Sequence, residues 1–323
     1  MLAAQVTTFG GPEVLVPGEV PDPVPGPGEV VIDVAYVDTI FVETQIRGGW
    51  GREFFPVTPP YVPGGGVAGV VSAVGPGVPG HWLGRRVTAF VTGSYAERAV
   101  APVPALVPVP DGVGLRTAAA LVHDGVTAAG LMELTKVRAT DRVLVLGASG
   151  GMGTLLVQLA HARDARVVAV ARGAGKLALV RELGADAAVD ATLPDWPAAA
   201  AAALGGDDRA ADVVLDGVGG QLGSAAFPVT ADGGRFSAHG APTGGFTRVD
   251  REEAARRGIT LLGIGDLQFD TAARTRLATT ALTEAAAGRL RPVIGGTYPL
   301  NRAADAHAAV ESRELVGKVV LKV

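Results

Sequence analysis

The chain has 323 residues, 48% of them hydrophobic and 19% charged, a composition that supports two packed domains and rules out a disordered chain. Its formal charge of −4 gives no general attraction to nucleic acid or anionic lipid, and no apolar run approaches the roughly 18 residues of a membrane span. The absence of cysteine excludes disulfides, thiolate metal sites, iron–sulfur clusters and thiol catalysis together; with no basic-then-apolar leader, a cytoplasmic location is expected.

In chain order, the first third is rich in Pro, Gly and Val, with short alternating runs. In "GEVVIDVAYV" (28–37), Val30, Ile32 and Val34 fall on one face and Val31, Asp33 and Ala35 on the other, which predicts a strand. "GVAGVVSAVG" (66–75) and "GRRVTAFV" (84–91) predict two more, while Pro21, Pro23, Pro25 and Pro27 cannot lie in a central strand. This texture reads as an antiparallel barrel or sandwich. From about 118 the period changes. Strands are expected at 142–147, 165–171, 186–190, 212–219 and 234–240, with helices at 151–163 and 176–183. Strands alternating with helices imply a parallel, doubly wound sheet. The alanine run "PAAAAAAL" (197–204) reads as a plain solvated helix. After about 290, "PVIGGTYPL", a helix around 301–312 and "GKVVLKV" are expected to rejoin the first domain. The expected domains are therefore 1–122 with 290–323, and 123–289.

The run "VLVLGASGGMG" (143–153) follows a buried strand and opens a helix inside a strand–helix–strand unit, the context that marks a dinucleotide fingerprint. Amides at the helix start and the helix dipole then face a pyrophosphate. Gly150 lets the backbone come close, and Gly153 lets helix and strand pack. NAD binders carry an acid at the end of the next strand for the ribose 2′-hydroxyl. Here "VARGAGK" puts Ala171 and Arg172 in that place, with Lys176 one turn on. Two cations and no acid suit a 2′-phosphate, so NADPH is the expected cofactor.

Ten short pieces in order carry a resemblance: "FGGPEVL" (9–15), "PGPGEVVIDV" (25–34), "VETQIRGG" (42–49), "PGGGVAGVV" (63–71), "GSYAER" (93–98), "GVTAA" (125–129), "GASGGMG" (147–153), "DVVLDGVGG" (212–220), "GGRF" (233–236) and "ESRELVGKVVL" (311–321). Over essentially its whole length the chain resembles the zinc-free quinone oxidoreductase, zeta-crystallin-like branch of the medium-chain dehydrogenase/reductase superfamily. The resemblance implies a GroES-like β-barrel domain, a Rossmann-type domain, NADPH in the cleft between them and a homodimer. It places Thr127 near the nicotinamide and Ser149, Gly150, Gly151 and Met152 at the pyrophosphate. Arg172 and Lys176 fall at the 2′-phosphate. Gly217, His239, Gly240 and Ala241 line the path to the nicotinamide, and Arg313 reaches the cofactor from the closing segment.

The departures from that family bear on chemistry. Zinc relatives carry Gly-His-Glu where this chain has Gly64-Gly65-Gly66, and they place their third ligand at His123. A catalytic zinc needs three protein ligands, so no metal is expected. The family's aromatic near 45 is Gln45 here, and the segment "DTIF" (38–41) lacks the usual Asn and carries one extra residue. Without zinc, quinones and α,β-unsaturated carbonyls are more plausible small-molecule acceptors than simple alcohols. Gln45, Tyr95 and His123 are the candidate catalytic residues, with Arg47, Trp50 and Tyr61 as further pocket candidates. Tyr95 and His123 also have structural readings, as a barrel-turn residue and a domain brace. Two alternatives stay open: an enoyl or alkenal reductase of the same fold, and an NADPH-binding protein without turnover.

Overall fold

The computed structural model describes residues 1–53, 55–206 and 208–323, which form two compact units, Met1–Val126 with Asp270–Val323, and Thr127–Phe269. Unit one begins with the antiparallel pair β1 (Leu2–Val6) and β2 (Leu15–Glu19). It continues through β3 (Glu29–Thr39), α1 (Phe41–Arg47), β4 (Gly66–Val74), β5 (Arg86–Phe90), β6 (Arg98–Pro102), β7 (Leu106–Pro108) and α2 (Leu115–Leu121). α3 (Asp124–Thr135) carries the chain across the boundary.

Unit two contains β8 (Arg142–Leu146), α4 (Gly151–His161), β9 (Arg166–Ala171), α5 (Ala174–Glu182), β10 (Ala187–Asp190), α6 (Trp196–Ala203), β11 (Ala211–Asp216), α7 (Gly220–Ala226), β12 (Thr230–Ala238), α8 (Arg251–Arg256) and β13 (Thr260–Gly263). The chain then returns to unit one as α9 (Thr271–Ala286), β14 (Ile294–Pro299), α10 (Ala303–Ser312) and β15 (Lys318–Lys322). The expected boundaries were 122/123 and 289/290, whereas the compact units divide at 126/127 and 269/270. The larger difference arises because α9 packs on β7 and α2, and Thr275 donates to the carbonyl of Pro104 at 3.0 Å.

The sheet of unit one runs β14-β15-β3-β4-β5-β7, with β6 also on β3, and every pair is antiparallel except β14–β15. β3 carries the alternation read from the sequence only as far as Val34. There its register against β4 slips, Val34 opposing Gly69 and Tyr36 opposing Ala68, so Ala35 is the extra residue of a bulge. Beyond it Val37 rejoins the core of Val30, Ile32 and Val34, and Asp38 and Thr39 are carried into buried positions.

Unit two is a six-stranded parallel sheet ordered β10-β9-β8-β11-β12-β13. The doubly wound expectation is met. One detail corrects the sequence reading: α6 is not simply solvated. Trp196, Ala200, Ala201 and Leu204 are buried against β9 and β10, because methyl-sized side chains let the helix settle close to the sheet.

Candidate functional site

From β8 the chain winds outward through β9 and β10, then returns to β11 on the other side of β8. The order reverses between β8 and β11, and the loops after their C-terminal ends border one crevice, the place where open α/β sheets bind ligands. After β8, Gly147 adopts φ +68°, in the left-handed region, and turns the chain into α4. A Cβ at Gly147 would lie 2.8 Å from Val218, so the two loops touch. A Cβ at Gly153 would press on the carbonyl of Gly147 and lie 2.8 Å from Ala148 Cα, which makes glycine obligatory for the helix–strand contact. Gly150 differs. It is exposed, its φ is −76°, and a Cβ there would meet only the Gly147 oxygen at 3.3 Å. As N-cap of α4 it offers no side chain to the first-turn amides, and Ser149, Gly151 and Met152 are half-exposed around it.

The second loop is held by Asp216, fully buried at the end of β11. Its carboxylate accepts Val218 N–H and Gly219 N–H, both at 2.9 Å, and the Thr247 hydroxyl at 2.5 Å. Its carbonyl accepts the amides of His239 at 3.1 Å and Gly240 at 3.0 Å. Gly217 and Gly240 therefore approach backbone to backbone, and a Cβ at Gly240 would collide with Gly217. His239 shares a hydrogen bond with Ser237 Oγ through Nδ1 at 3.1 Å, while buried Nε2 has no partner among the described residues. Burial pushes its pKa down to about 4 against the pull of Asp216, so the ring is neutral. Ala241 beside it is buried.

Arg172 follows β9 directly and is exposed; Lys176 lies half-buried in the first turn of α5, behind Gly173 at φ +85°. Register pairs Asp190, the last residue of β10, with Ala171. Its carboxyl is held below the usual range, first by the Thr192 amide and hydroxyl, then by Gly173 N–H and the Arg172 charge. This acid beside the ribose corner was not singled out in the sequence. Register across parallel strands is what brings it there.

Unit one holds two buried polar clusters. Lys318 lies 2.5 Å from Asp38 and 3.1 Å from Asp124. Burial works against its ammonium, but Asp124 and Asp38 outweigh that and hold its pKa above the ordinary value. Burial likewise raises the carboxyl of Asp38 despite Lys318. Asp38 fits because Gly66 is bare: a Cβ there would come within 3.1 Å of Asp38 Cβ. In the second cluster the Tyr95 hydroxyl donates to Glu43 at 2.7 Å and lies 3.0 Å from His307 Nε2. His307 Nδ1 is 3.1 Å from Arg47, which pairs with Glu311 at 2.5 Å and donates to the Gly10 carbonyl. Desolvation lifts Glu43 to about 7 and holds His307 down to about 3, a neutral imidazole.

These contacts revise two pocket candidates. Tyr95 is fully buried and Arg47 is 2% exposed, each with its polar atoms committed inside unit one, so neither side chain is open to an acceptor. Gln45 on α1, Tyr61 and His123 remain half-buried, and Trp50 is exposed at the loop after α1. Thr127, the first residue of unit two, is half-buried in α3. Arg313 ends α10 in the left-handed region at φ +58°, with its guanidinium carbon 5.6 Å from the Phe41 ring centre.

His123 sits in the link from α2 to α3, its ring 6.0 Å from that of Phe90, and a Cβ at Gly65 would touch Phe90 at 3.3 Å. Burial pushes its pKa down to about 4 against Asp124, so at neutral pH it carries no proton beyond that of a neutral imidazole. Among the described residues, no group of three His, Asp or Glu side chains is placed to hold a metal ion. None of their helices is long and apolar enough to cross a membrane.

Two family models match this chain: the alcohol dehydrogenase GroES-like domain over residues 26–111 and the zinc-binding dehydrogenase over residues 183–321. The quinone oxidoreductase of Mus musculus is 31% identical over 327 residues, covering 99% of this chain and 97% of the relative. A 2-haloacrylate reductase from Burkholderia is 29% identical over 330 residues, covering 99% and 98%. A mycobacterial protein solved in complex with NADPH superposes with a TM-score of 0.91 at 32% identity, covering 100% of both chains.

Proposed function

The chain belongs to the quinone oxidoreductase-like branch of the medium-chain dehydrogenase/reductase superfamily, and from that premise we propose that it is an NADPH-dependent reductase of quinones or similar α,β-unsaturated carbonyls that works without zinc. One observation carries the reading. Gly150 is an exposed N-cap without a side chain, where a Cβ would meet only the Gly147 carbonyl, at 3.3 Å. It stands at the mouth of a crevice where β9 leads into Arg172, with Lys176 one turn on, at the position that carries an acid in NAD binders. The orphaned Nε2 of His239 fits a ligand in the same crevice, since a buried polar atom normally finds a partner. The NADPH bound by the mycobacterial neighbour supports the same choice.

In this reading Ser149, Gly150, Gly151 and Met152 hold the pyrophosphate, Arg172 and Lys176 the 2′-phosphate, and Thr127, Gly217, His239, Gly240 and Ala241 the path to the nicotinamide. Arg313, in the last segment of the chain, is assigned to the cofactor by the resemblance alone. When bound, NADPH supplies the hydride. Gln45 and the neutral ring of His123 each offer an N–H to the acceptor oxygen as charge grows on it, and water supplies the proton. Tyr95 acts indirectly, by fixing Glu43 and α1. Zinc independence rests on the missing cysteines, on Gly65 and on the lack of a three-ligand cluster among the described residues. A homodimer is carried over from the resemblance, and the mass in solution checks it.

The 2-haloacrylate reductase among the relatives favours a second reading in which the acceptor is an activated alkene rather than a quinone. The experiment is NADPH oxidation with a quinone, an enone and a simple aldehyde. Turnover with the quinone supports the first reading and turnover with the enone alone supports the second. Turnover confined to the aldehyde, or none at all, contradicts both.

A further inference from the structure

Arginines that lose much of their exposure in this fold are matched by acids or, at Arg86 and Arg163, by backbone carbonyls. Arg47 pairs with Glu311, Arg142 with Asp212, Arg235 with Asp141 and Arg257 with Asp232, while buried Lys318 lies between two aspartates. Matching is expected, because an uncompensated charge drawn out of water is destabilising. Arg274 breaks the pattern. It is half-buried, one turn into α9, and among the described residues no carboxylate pairs with it and no acceptor takes its side-chain N–H groups. Asp270, the acid one turn before it, is turned to cap the helix at Ala273 N–H, 2.8 Å away. Burial lowers the pKa of Arg274 with nothing offsetting it.

What Arg274 does have is a platform. Its guanidinium carbon lies 4.1 Å from the centre of the Phe90 ring, and Phe90 in turn stacks toward His123 and covers Gly65. An arginine held flat on an aromatic face keeps its planar N–H edges for a planar anion. Two carboxylate oxygens match that fork bidentately. Asp124, the acid nearest His123 in sequence, is already occupied by Lys318.

We propose that Arg274, stacked on Phe90 beside His123, is an acceptor-recognition residue that selects acceptors whose conjugated carbonyl carries a carboxylate. This rests on the reading of the chain as a reductase of conjugated carbonyls with His123 at the acceptor.

The test compares trans-4-oxo-2-pentenoate with its neutral methyl ester in steady-state NADPH oxidation, for the wild-type chain, Arg274→Gln and Arg274→Lys. A charge-assisted pair should favour the acid over the ester at least about tenfold in kcat/KM. Arg274→Gln should remove most of that preference and Arg274→Lys should retain part of it. Calorimetry with the unreactive, saturated 4-oxopentanoate provides a readout independent of turnover, and its affinity should fall about tenfold in Arg274→Gln. If the ester is reduced as well as the acid, or if Arg274→Gln weakens both acceptors equally, the proposal is overturned while the reductase reading stands. If no quinone or enone is reduced, the reductase reading fails, and the 4-oxopentanoate affinities still decide whether Arg274 holds a carboxylate. Equal affinity in wild type and Arg274→Gln would overturn the assignment.

Discussion

Glu43 carries a carboxyl whose pKa burial raises strongly. Among the described residues Tyr95 and the Ile40 amide donate to its Oε2, at 2.7 and 3.0 Å, and burial raises its pKa to about 7 from 4.5. A folded-state pKa raised in this way contributes stability that is full below the unfolded value of 4.5 and is lost as pH climbs through about 7. Glu43→Gln keeps the neutral form at every pH, so its stability relative to wild type should improve between about pH 5 and pH 8, by on the order of 2–3 kcal/mol. Melting curves across that range check this, and a constant difference would mean that the carboxyl titrates normally. At the ribose corner, Arg172→Ala should weaken NADPH about tenfold and leave NADH nearly unaffected, as loss of one charge-assisted contact implies. Asp190→Asn should do the reverse, tightening NADPH, because the acid now competes for Arg172. Titration of both coenzymes by fluorescence distinguishes these outcomes from a uniform change. His123 and Thr127 were singled out through the family resemblance, by the motif positions they occupy. The structural role of Arg47 was not legible: it was expected to line a pocket, and the partner that draws it inward, Glu311, lies 264 residues away. Arg274 was invisible for the same reason: nothing local to α9 announces Phe90.

At the scale of elements, the join of β8 to α4 separates packing from binding. Gly153→Ala would drive a methyl into the Gly147 carbonyl and Ala148, so it should lower stability by roughly 1–3 kcal/mol. Gly150→Ala meets only the Gly147 carbonyl, at 3.3 Å, so melting should fall less than in Gly153→Ala while NADPH affinity falls at least about tenfold. Equal melting losses in the two variants would remove the distinction. The glycine pattern made this join readable because strand, turn and helix each leave a local signature. The bulge at Ala35 left none. Val30 through Val34 alternate cleanly, and only pairing with β4 shows where the extra residue goes and why Asp38 turns inward to Lys318. The alanine helix α6 misled for a complementary reason: identical side chains carry no period, so its buried stripe had to come from the sheet beneath it.

For the whole molecule, alternation of strands and helices was enough to read the parallel sheet of unit two and its nucleotide-binding topology. It could not assign α9, whose contacts lie with β7 and α2, more than 140 residues earlier in the chain. The acceptor chemistry depends on what the first unit lacks as well as on what it holds. In the proposed reading Gly65 stands where zinc relatives carry a ligand, Phe90 packs over it, and His123 is a neutral ring outside any group of three metal-ligating side chains among the described residues. The proposed reaction is hydride transfer from NADPH to a conjugated carbonyl with no metal in the site. Its most direct test is the rate of NADPH oxidation with 1,4-naphthoquinone after exhaustive dialysis against a chelator, with zinc measured on the same sample. Saturable turnover with far less than one zinc per chain is the predicted result. Turnover that vanishes on dialysis and returns only with added zinc would contradict it.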